Sequence, residues 1–137
     1  MSRTYATAVW AFDVDGTLVD SITGSSLRPM ARSVLEVLHA RGSTVVLWSA
    51  GGGDYARRRA EAHGIDDLVD ACYDKGTRDE EGRYVTSHLA SAHRPHVCVD
   101  DQPDELPAGV EPIGVSAYLA PDPHDRGLVA LLERIAP

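Results

Sequence analysis

The stretch FDVDGTL at residues 12–18 decides the fold, because it ends an unbroken apolar run at residues 8–12 and carries two carboxylates and a glycine. Such a run predicts a central parallel strand that is buried on both faces. In open α/β sheets, functional groups collect beyond the carboxyl ends of these strands. Gly16 lets the chain fold back, so that Asp13 and Asp15 can approach one ligand. The pair indicates a cation, a shared proton or a metal-bound phosphate, although Asp-Gly is also typical of an ordinary turn.

The composition is typical of one globular domain, which we expect to span residues 1–137. The chain is 43% hydrophobic, enough to build a core without disulfides. Its net charge of −8 argues against nucleic-acid binding and against an anionic membrane as partner. The sequence contains no secretory leader and no apolar stretch of membrane-spanning length, so we expect a cytoplasmic protein.

Apolar runs separated by turn signals predict alternating strands and helices. After a polar lead at residues 1–7, strands are predicted at residues 8–12, 44–48, 68–73, 96–99 and 113–115. Helices are predicted at residues 29–41, at residues 55–63 with Asp54 as the N-cap, at residues 86–93 and at residues 126–135. This alternation predicts an α/β fold with a mostly parallel five-stranded sheet.

Polar side chains that can carry chemistry follow four of the predicted strands. They are Asp13 and Asp15, then Ser49, then Lys75, and then Asp100 and Asp101. The set predicts phosphoryl transfer through a covalent aspartyl phosphate. A carboxylate that attacks a phosphate monoester is an anion meeting an anion, so the reaction requires a divalent cation and further hydrogen-bond donors.

The carboxylates divide into catalytic and metal-binding roles. We expect Asp13 to be the nucleophile, and Asp15 to be the acid that protonates the leaving alkoxide and then the base that activates water. Mg²⁺ is the expected cofactor, because it prefers few protein carboxylates and several waters. The predicted metal ligands are Asp13, Asp15, Asp100 and Asp101, and Asp104 is a further residue that either ligates the metal or orients a ligand.

The remaining site residues are expected to bind the phosphoryl group. Ser49 and the backbone N–H groups of Ala50 and Gly51 can donate to the phosphoryl oxygens. Lys75, the only lysine in the chain, can neutralise charge on the nucleophile and the phosphate. Arg94 is the alternative cation, but it precedes the fourth strand and should start at the opposite edge of the sheet.

These residues together resemble the four motifs of the haloacid dehalogenase superfamily, over residues 9–104. The sequence Asp-Val-Asp-Gly-Thr-Leu resembles the first motif of its phosphatase members. The resemblance implies a Rossmann-like three-layer sandwich with strand order 5-4-1-2-3, and it implies magnesium. The dehalogenase branch lacks the second aspartate, so Asp15 argues for the phosphatases. With this strand order, Cys72 and Cys98 would lie three strand spacings apart, and we expect free thiols.

The resemblance also implies a capless phosphatase-type member, because residues 19–48 and 50–74 are too few to hold a cap domain. Capless members act on macromolecules or take a lid from another subunit, so the expected partner is a phosphorylated small molecule or macromolecule, and a homo-oligomer stays open. Residues 48–50 and 55–56 resemble the carboxy-terminal-domain phosphatases, whereas the spacing from Lys75 to Asp100 resembles the tetrameric sugar-acid phosphatases. The substrate therefore stays open.

Two alternatives to a phosphatase remain. A non-catalytic phosphate-binding or phospho-acceptor signalling module, similar to receiver domains, also combines aspartates, a hydroxyl and a lysine on an α/β sheet. Such modules have no acid two residues after the acceptor, and their acidic pair comes early in the chain, so Asp15 argues against them. A catalytically idle structural member would lack a motif residue, and none is plainly missing. The histidines show no zinc-ligand spacing.

Overall fold

The computed structural model describes residues 8–137, and the polar lead predicted at residues 1–7 lies outside the described residues. Five strands are present in this part of the chain: Val9–Asp13 (β1), Thr44–Ser49 (β2), Ala71–Asp74 (β3), Val97–Asp100 (β4) and Glu111–Gly114 (β5). Its three α-helices are Ala31–Ala40 (α1), Gly53–Ala62 (α2) and Val129–Ile135 (α3). Short 3₁₀ turns occupy Asp66–Leu68, Ser91–His93 and Pro103–Glu105.

The strands form one sheet in the order β3-β2-β1-β4-β5, and every neighbouring pair is parallel. This is the predicted order 5-4-1-2-3 counted from the other edge, in an all-parallel rather than a mostly parallel sheet. The central strand β1 is buried at all five positions. An uninterrupted apolar sequence suits that place, because side chains on both faces of a central parallel strand are covered. The α/β fold is confirmed.

One face of the sheet packs against all three helices. Trp10 and Phe12 point to this face and share a hydrophobic cluster with Leu35 of α1, Ala56 of α2 and Leu131 of α3. The alternating residues of β1 point to the opposite face. The three α-helices of the described chain therefore form one layer, on one face of the sheet.

The opposite face is covered by irregular chain. Its cluster contains Ala11 and Trp48 from the sheet, packed with Tyr84 and Leu106 from the connecting segments. The helix predicted at residues 86–93 is wrong, since this segment has turns and ends in a short 3₁₀ turn. Within residues 86–93 only one side chain is buried, so the segment has no apolar stripe that could hold a helix against the sheet. The predicted third layer of the sandwich is loop rather than helix.

The helices begin later or earlier than predicted for local reasons. Helix α1 begins at Ala31, because Met30 takes a left-handed conformation with φ 75°. Helix α2 begins at Gly53, and its N-cap is Gly52 and not Asp54. A side chain at Gly53 would meet the Cys72 carbonyl oxygen at 2.9 Å, so the helix packs closely against β3 there.

The strand ends shift by one to three residues. Strand β3 begins at Ala71 instead of residue 68, because Asp66–Leu68 forms a 3₁₀ turn. Strands β2 and β4 each continue one residue beyond the prediction, to Ser49 and Asp100, and the last strand is Glu111–Gly114. Strand β1 likewise continues one residue further, to Asp13, so three predicted site residues end a strand instead of following one.

The two cysteines and the terminal helix complete the fold. Cys72 on β3 and Cys98 on β4 are both free, as predicted, with two strands between them. Helix α3 begins at Val129 rather than at residue 126, after a turn in which the Gly127 N–H donates to Asp125 Oδ2. Among residues 8–137, no helix combines the length and the apolar character that crossing a membrane demands.

Candidate active site at the carboxyl edge of the sheet

The predicted site residues gather where the central strands end. Asp13 ends β1, Ser49 ends β2, Lys75 follows β3, and Asp100 ends β4. Because the strands are parallel and β1 lies between β2 and β4, these ends meet at one edge of the sheet. Strand order alone therefore places the four side chains on one side of the molecule.

Lys75 joins the two buried carboxylates. Its Nζ atom lies 3.0 Å from Asp13 Oδ1 and 2.7 Å from Asp100 Oδ2. The side chain is buried, and Nζ also lies 5.7 Å from the Trp48 ring centroid and 5.1 Å from that of Tyr84. The two rings close the apolar side of the ammonium, which leaves its charge directed at the carboxylates.

Burial and pairing shift the proton affinities of this cluster. Burial raises the pKa of Asp13; Lys75 opposes the rise, and the Asp100 charge adds to it. Burial also raises the pKa of Asp100, against the attraction of Lys75. Burial by itself would lower the pKa of Lys75, but the two carboxylates outweigh this effect and raise it. The ammonium is thus held in its charged form, whereas burial disfavours the charged form of both carboxylates.

A potential metal-binding group lies beside this lysine. One carboxylate oxygen from each of Asp13, Asp100 and Asp101 can be chosen so that all three atoms lie within 4.8 Å of one another. Opposite ligands of a magnesium ion lie on the order of 4 Å apart, so the spacing of these oxygens is comparable with that of ligands around one ion. An all-oxygen donor set also suits Mg²⁺ chemically.

Gly16 leaves the space beside it that the Asp101 carboxylate occupies. Its backbone has φ 83°, a conformation that favours glycine. A side chain at this position would also lie 2.8 Å from Asp101 Oδ2. The glycine of the Asp-Gly-Thr sequence is therefore required by both the turn and the carboxylate next to it.

Thr17 is a site residue that the sequence reasoning missed. Its buried hydroxyl lies 3.0 Å from Asp13 Oδ2 and 3.3 Å from Asp101 Oδ1, and it accepts a hydrogen bond from the Asp101 N–H at 3.2 Å. The hydroxyl thereby ties the end of β1 to the turn after β4. Its position in the sequence at residues 12–18 could have indicated a role in the site, but its partner Asp101 is 84 residues away in the chain.

Asp15 stands apart from the metal-binding group, although it was predicted to be a ligand. Its half-buried carboxylate accepts a hydrogen bond from the Tyr55 hydroxyl at 2.6 Å. Burial and this hydrogen bond raise the pKa of Tyr55 to about 12, so the phenol stays protonated as a donor. Tyr55 lies in the first turn of α2, and its role was not predicted.

Ser49 lies at the end of β2 with its hydroxyl in the following turn. The Gly51 N–H donates to Ser49 Oγ at 3.0 Å, and the Lys75 N–H donates to the Ser49 carbonyl, also at 3.0 Å. Ser49 is buried, whereas Ala50 and Gly51 are exposed. The hydroxyl therefore accepts a backbone hydrogen bond and keeps its own proton for another acceptor.

Two further candidates lie outside this group. Asp104 is exposed in the 3₁₀ turn Pro103–Glu105. Arg94 is also exposed, and its guanidinium donates to the carbonyl oxygens of Leu89 and Ser87. Lys75, and not Arg94, is thus the cation that contacts Asp13.

The chain was also compared with known proteins, and neither the protein-family models nor the curated proteins give a match.

Proposed function

We propose that this protein is a magnesium-dependent phosphatase or phosphotransferase that acts through a covalent phosphate on Asp13. The main supporting observation is the surroundings of Asp13. One of its oxygens faces the Lys75 ammonium and the other faces the Thr17 hydroxyl, each at 3.0 Å, while Asp100 and Asp101 complete a group of oxygens suited to a divalent cation. A carboxylate held in this way has a fixed direction and a cation beside it, which attack on a phosphate anion requires.

Asp13, Asp100 and Asp101 would hold the metal ion. The ion would supply positive charge that lets the phosphate approach the nucleophile and that offsets the charge of the transition state. The rest of the chemistry belongs to side chains of this chain. Lys75 contacts both Asp13 and Asp100, so it limits the repulsion between them when a further anion arrives.

The transfer has two steps. In the first, an Asp13 oxygen bonds to phosphorus while the ester bond breaks, and the leaving oxygen takes a proton from the Asp15 carboxyl. In the second, Asp15 removes a proton from water, the water oxygen bonds to phosphorus, and Asp13 leaves as a carboxylate with inorganic phosphate as the product. A phosphotransferase would use a substrate hydroxyl in place of that water.

The turn after β2 would bind the phosphoryl oxygens. Ser49 keeps its hydroxyl proton for an external acceptor, as its Oγ already accepts from the Gly51 N–H. Ala50 is exposed in the same turn and adds a candidate backbone donor, whereas the Gly51 N–H is already taken up by Ser49 Oγ. Lys75 adjoins this turn, because its N–H donates to the Ser49 carbonyl. Together these groups supply a compact anion site without a broad positive surface, which agrees with the net charge of −8.

The architecture supports a capless haloacid-dehalogenase-like protein. The α/β sheet has the strand order that the resemblance implies. The described chain between β1 and β2 holds a loop and α1, and the chain between β2 and β3 holds α2, so neither connection contains a cap domain. The substrate would be a phosphorylated small molecule or macromolecule that reaches an open sheet edge, in the cytoplasm.

The second candidate is a phospho-acceptor module that accepts phosphate on Asp13 without turnover. It uses the same Asp13, Thr17 and Lys75 contacts, and it is favoured only if Asp15 stays bound to Tyr55 throughout. Hydrolysis of p-nitrophenyl phosphate with and without Mg²⁺ separates the two. Repeated turnover that depends on Mg²⁺ supports the phosphatase, whereas a single labelling event without release supports the acceptor module.

A further inference from the structure

Tyr55 holds the Asp15 carboxylate from outside the predicted set of catalytic residues. Its hydroxyl donates to Asp15 Oδ1 at 2.6 Å, which is short for a hydrogen bond between neutral groups and typical of one to a carboxylate. Within residues 8–137, no other residue donates a hydrogen bond to Oδ2 of Asp15. One carboxylate oxygen is therefore fixed, and the other accepts no hydrogen bond from the described residues.

The Tyr55 ring is itself held in place. Gly51 comes so close that an added side chain there would meet the ring at 3.1 Å. The Arg59 guanidinium lies over the ring, 5.4 Å from its centroid, and donates to the Gly24 carbonyl at 3.0 Å. Through these contacts, the ring connects helix α2 with the turn after β2 and, by way of Arg59, with the loop that contains Gly24.

We propose that Tyr55 is a positioning residue that fixes the Asp15 carboxyl so that its Oδ2 atom exchanges the proton with the leaving group. This rests on the proposed function of Asp15. A donor on Oδ1 stabilises the carboxylate that forms as the proton leaves, and it restricts rotation of the carboxyl group. Tyr55 touches neither phosphate nor metal in this role; it acts through Asp15.

The leaving group provides a readout that a purely structural role would not change. A p-nitrophenolate anion leaves without a proton, whereas an alkoxide must be protonated. In Tyr55→Phe, we expect kcat/KM for an alkyl phosphate such as glycerol phosphate to fall by about tenfold or more, and kcat/KM for p-nitrophenyl phosphate to change by less than about threefold. This parameter reports the steps up to leaving-group departure, so slow hydrolysis of the phosphoenzyme does not mask the difference.

Tyr73→Phe is the matched control. Tyr73 lies on β3, and its hydroxyl makes a hydrogen bond of 2.7 Å with His93, away from Asp15. Losing this phenol should leave the ratio of the two kcat/KM values unchanged. A double variant with Asp15→Asn gives a second control, because Tyr55→Phe should add no further loss for the alkyl substrate once the acid is absent.

The outcomes separate the inference from the function on which it rests. If the wild-type protein with Mg²⁺ hydrolyses neither phosphate ester, the proposed function and the role of Tyr55 both fail. If the wild type is active but Tyr55→Phe lowers kcat/KM equally for both esters, or for neither, the positioning role alone is overturned. A loss confined to the alkyl phosphate and absent in the Asp15→Asn background supports it.

Discussion

The Nζ atom of Lys75 lies 3.0 Å from Oδ1 of Asp13, although the two residues belong to strand ends on opposite sides of β2. The contact depends on the length of the lysine side chain, which crosses the end of the intervening strand. It places the only lysine of the chain against the residue that we expect to attack the phosphate.

Removing the Lys75 charge should lower activity strongly. In Lys75→Met, which keeps an apolar stem beside Trp48 and Tyr84, we expect kcat to fall by on the order of 10², because the Asp13 and phosphoryl charges lose their compensation. Steady-state kinetics with circular dichroism as the folding check gives the measurement. Arg94→Ala is the control, and it should retain close to wild-type activity, since the Arg94 guanidinium donates to the loop carbonyls of Leu89 and Ser87. A larger loss in Arg94→Ala than in Lys75→Met would reverse the assignment.

Removing the Thr17 hydroxyl should weaken metal binding more than folding. Thr17→Val keeps the shape of the side chain but loses the contacts with Asp13 and Asp101. We expect the Mg²⁺ concentration for half-maximal rate to rise by about tenfold and stability to fall by about 1 kcal/mol. Thr86→Val is the matched control, because Thr86 lies in the irregular segment at residues 86–93. An unchanged Mg²⁺ requirement in Thr17→Val would show that the hydroxyl does not organise the ligands.

Asp20 should make stability depend on pH in acid. Its carboxylate accepts hydrogen bonds from the Thr23 N–H, the Thr23 hydroxyl and the Ser26 N–H. Burial works against the charge, but these hydrogen bonds prevail and lower its pKa from 3.8 to about 2. The folded state therefore favours the carboxylate, so this contribution is complete above about pH 4 and is lost as the pH falls through about 2.

The variant Asp20→Asn tests this linkage. We expect it to be less stable than the wild type at pH 7, and the difference should shrink between pH 4 and pH 2, as measured by urea unfolding. A difference that stays constant over that range would mean that the amide disturbs packing rather than removing a charge.

The sheet was predictable because its sequence signals are local. The apolar run that ends at Phe12 forms most of β1, and every residue of β1 is buried. Runs of this kind predicted the strands, and the family resemblance supplied the strand order, which the sheet has. The helix at residues 86–93 was wrong because Leu89 is its only buried side chain, and one apolar contact cannot anchor a helix. The Asp54 cap was wrong because Gly53 packs against β3 and already begins the helix.

The site residues that end or follow a strand could be predicted from the sequence. The contacts made by residues from other parts of the chain could not. Asp13 and Asp100 could be placed by strand order alone. Thr17 and Tyr55 could not be assigned partners, because their contacts with Asp101 and Asp15 join residues 84 and 40 positions apart. Asp15 was predicted to be a metal ligand, and this stays a prediction: its side chain is not part of the group formed by Asp13, Asp100 and Asp101, and its Oδ1 accepts from Tyr55.

The central claim is that phosphate is carried covalently by Asp13, and the most direct test is the intact mass of the protein after reaction with p-nitrophenyl phosphate and Mg²⁺. In Asp15→Asn, the nitrophenolate leaves without an acid but the base for hydrolysis is missing, so a phosphorylated form should accumulate. Peptide mapping after acid quenching should find one added phosphoryl group on the peptide that contains Asp13. The double variant Asp13→Asn with Asp15→Asn should show none, and a phosphoryl group that persists there, or that maps to another residue, would contradict the account.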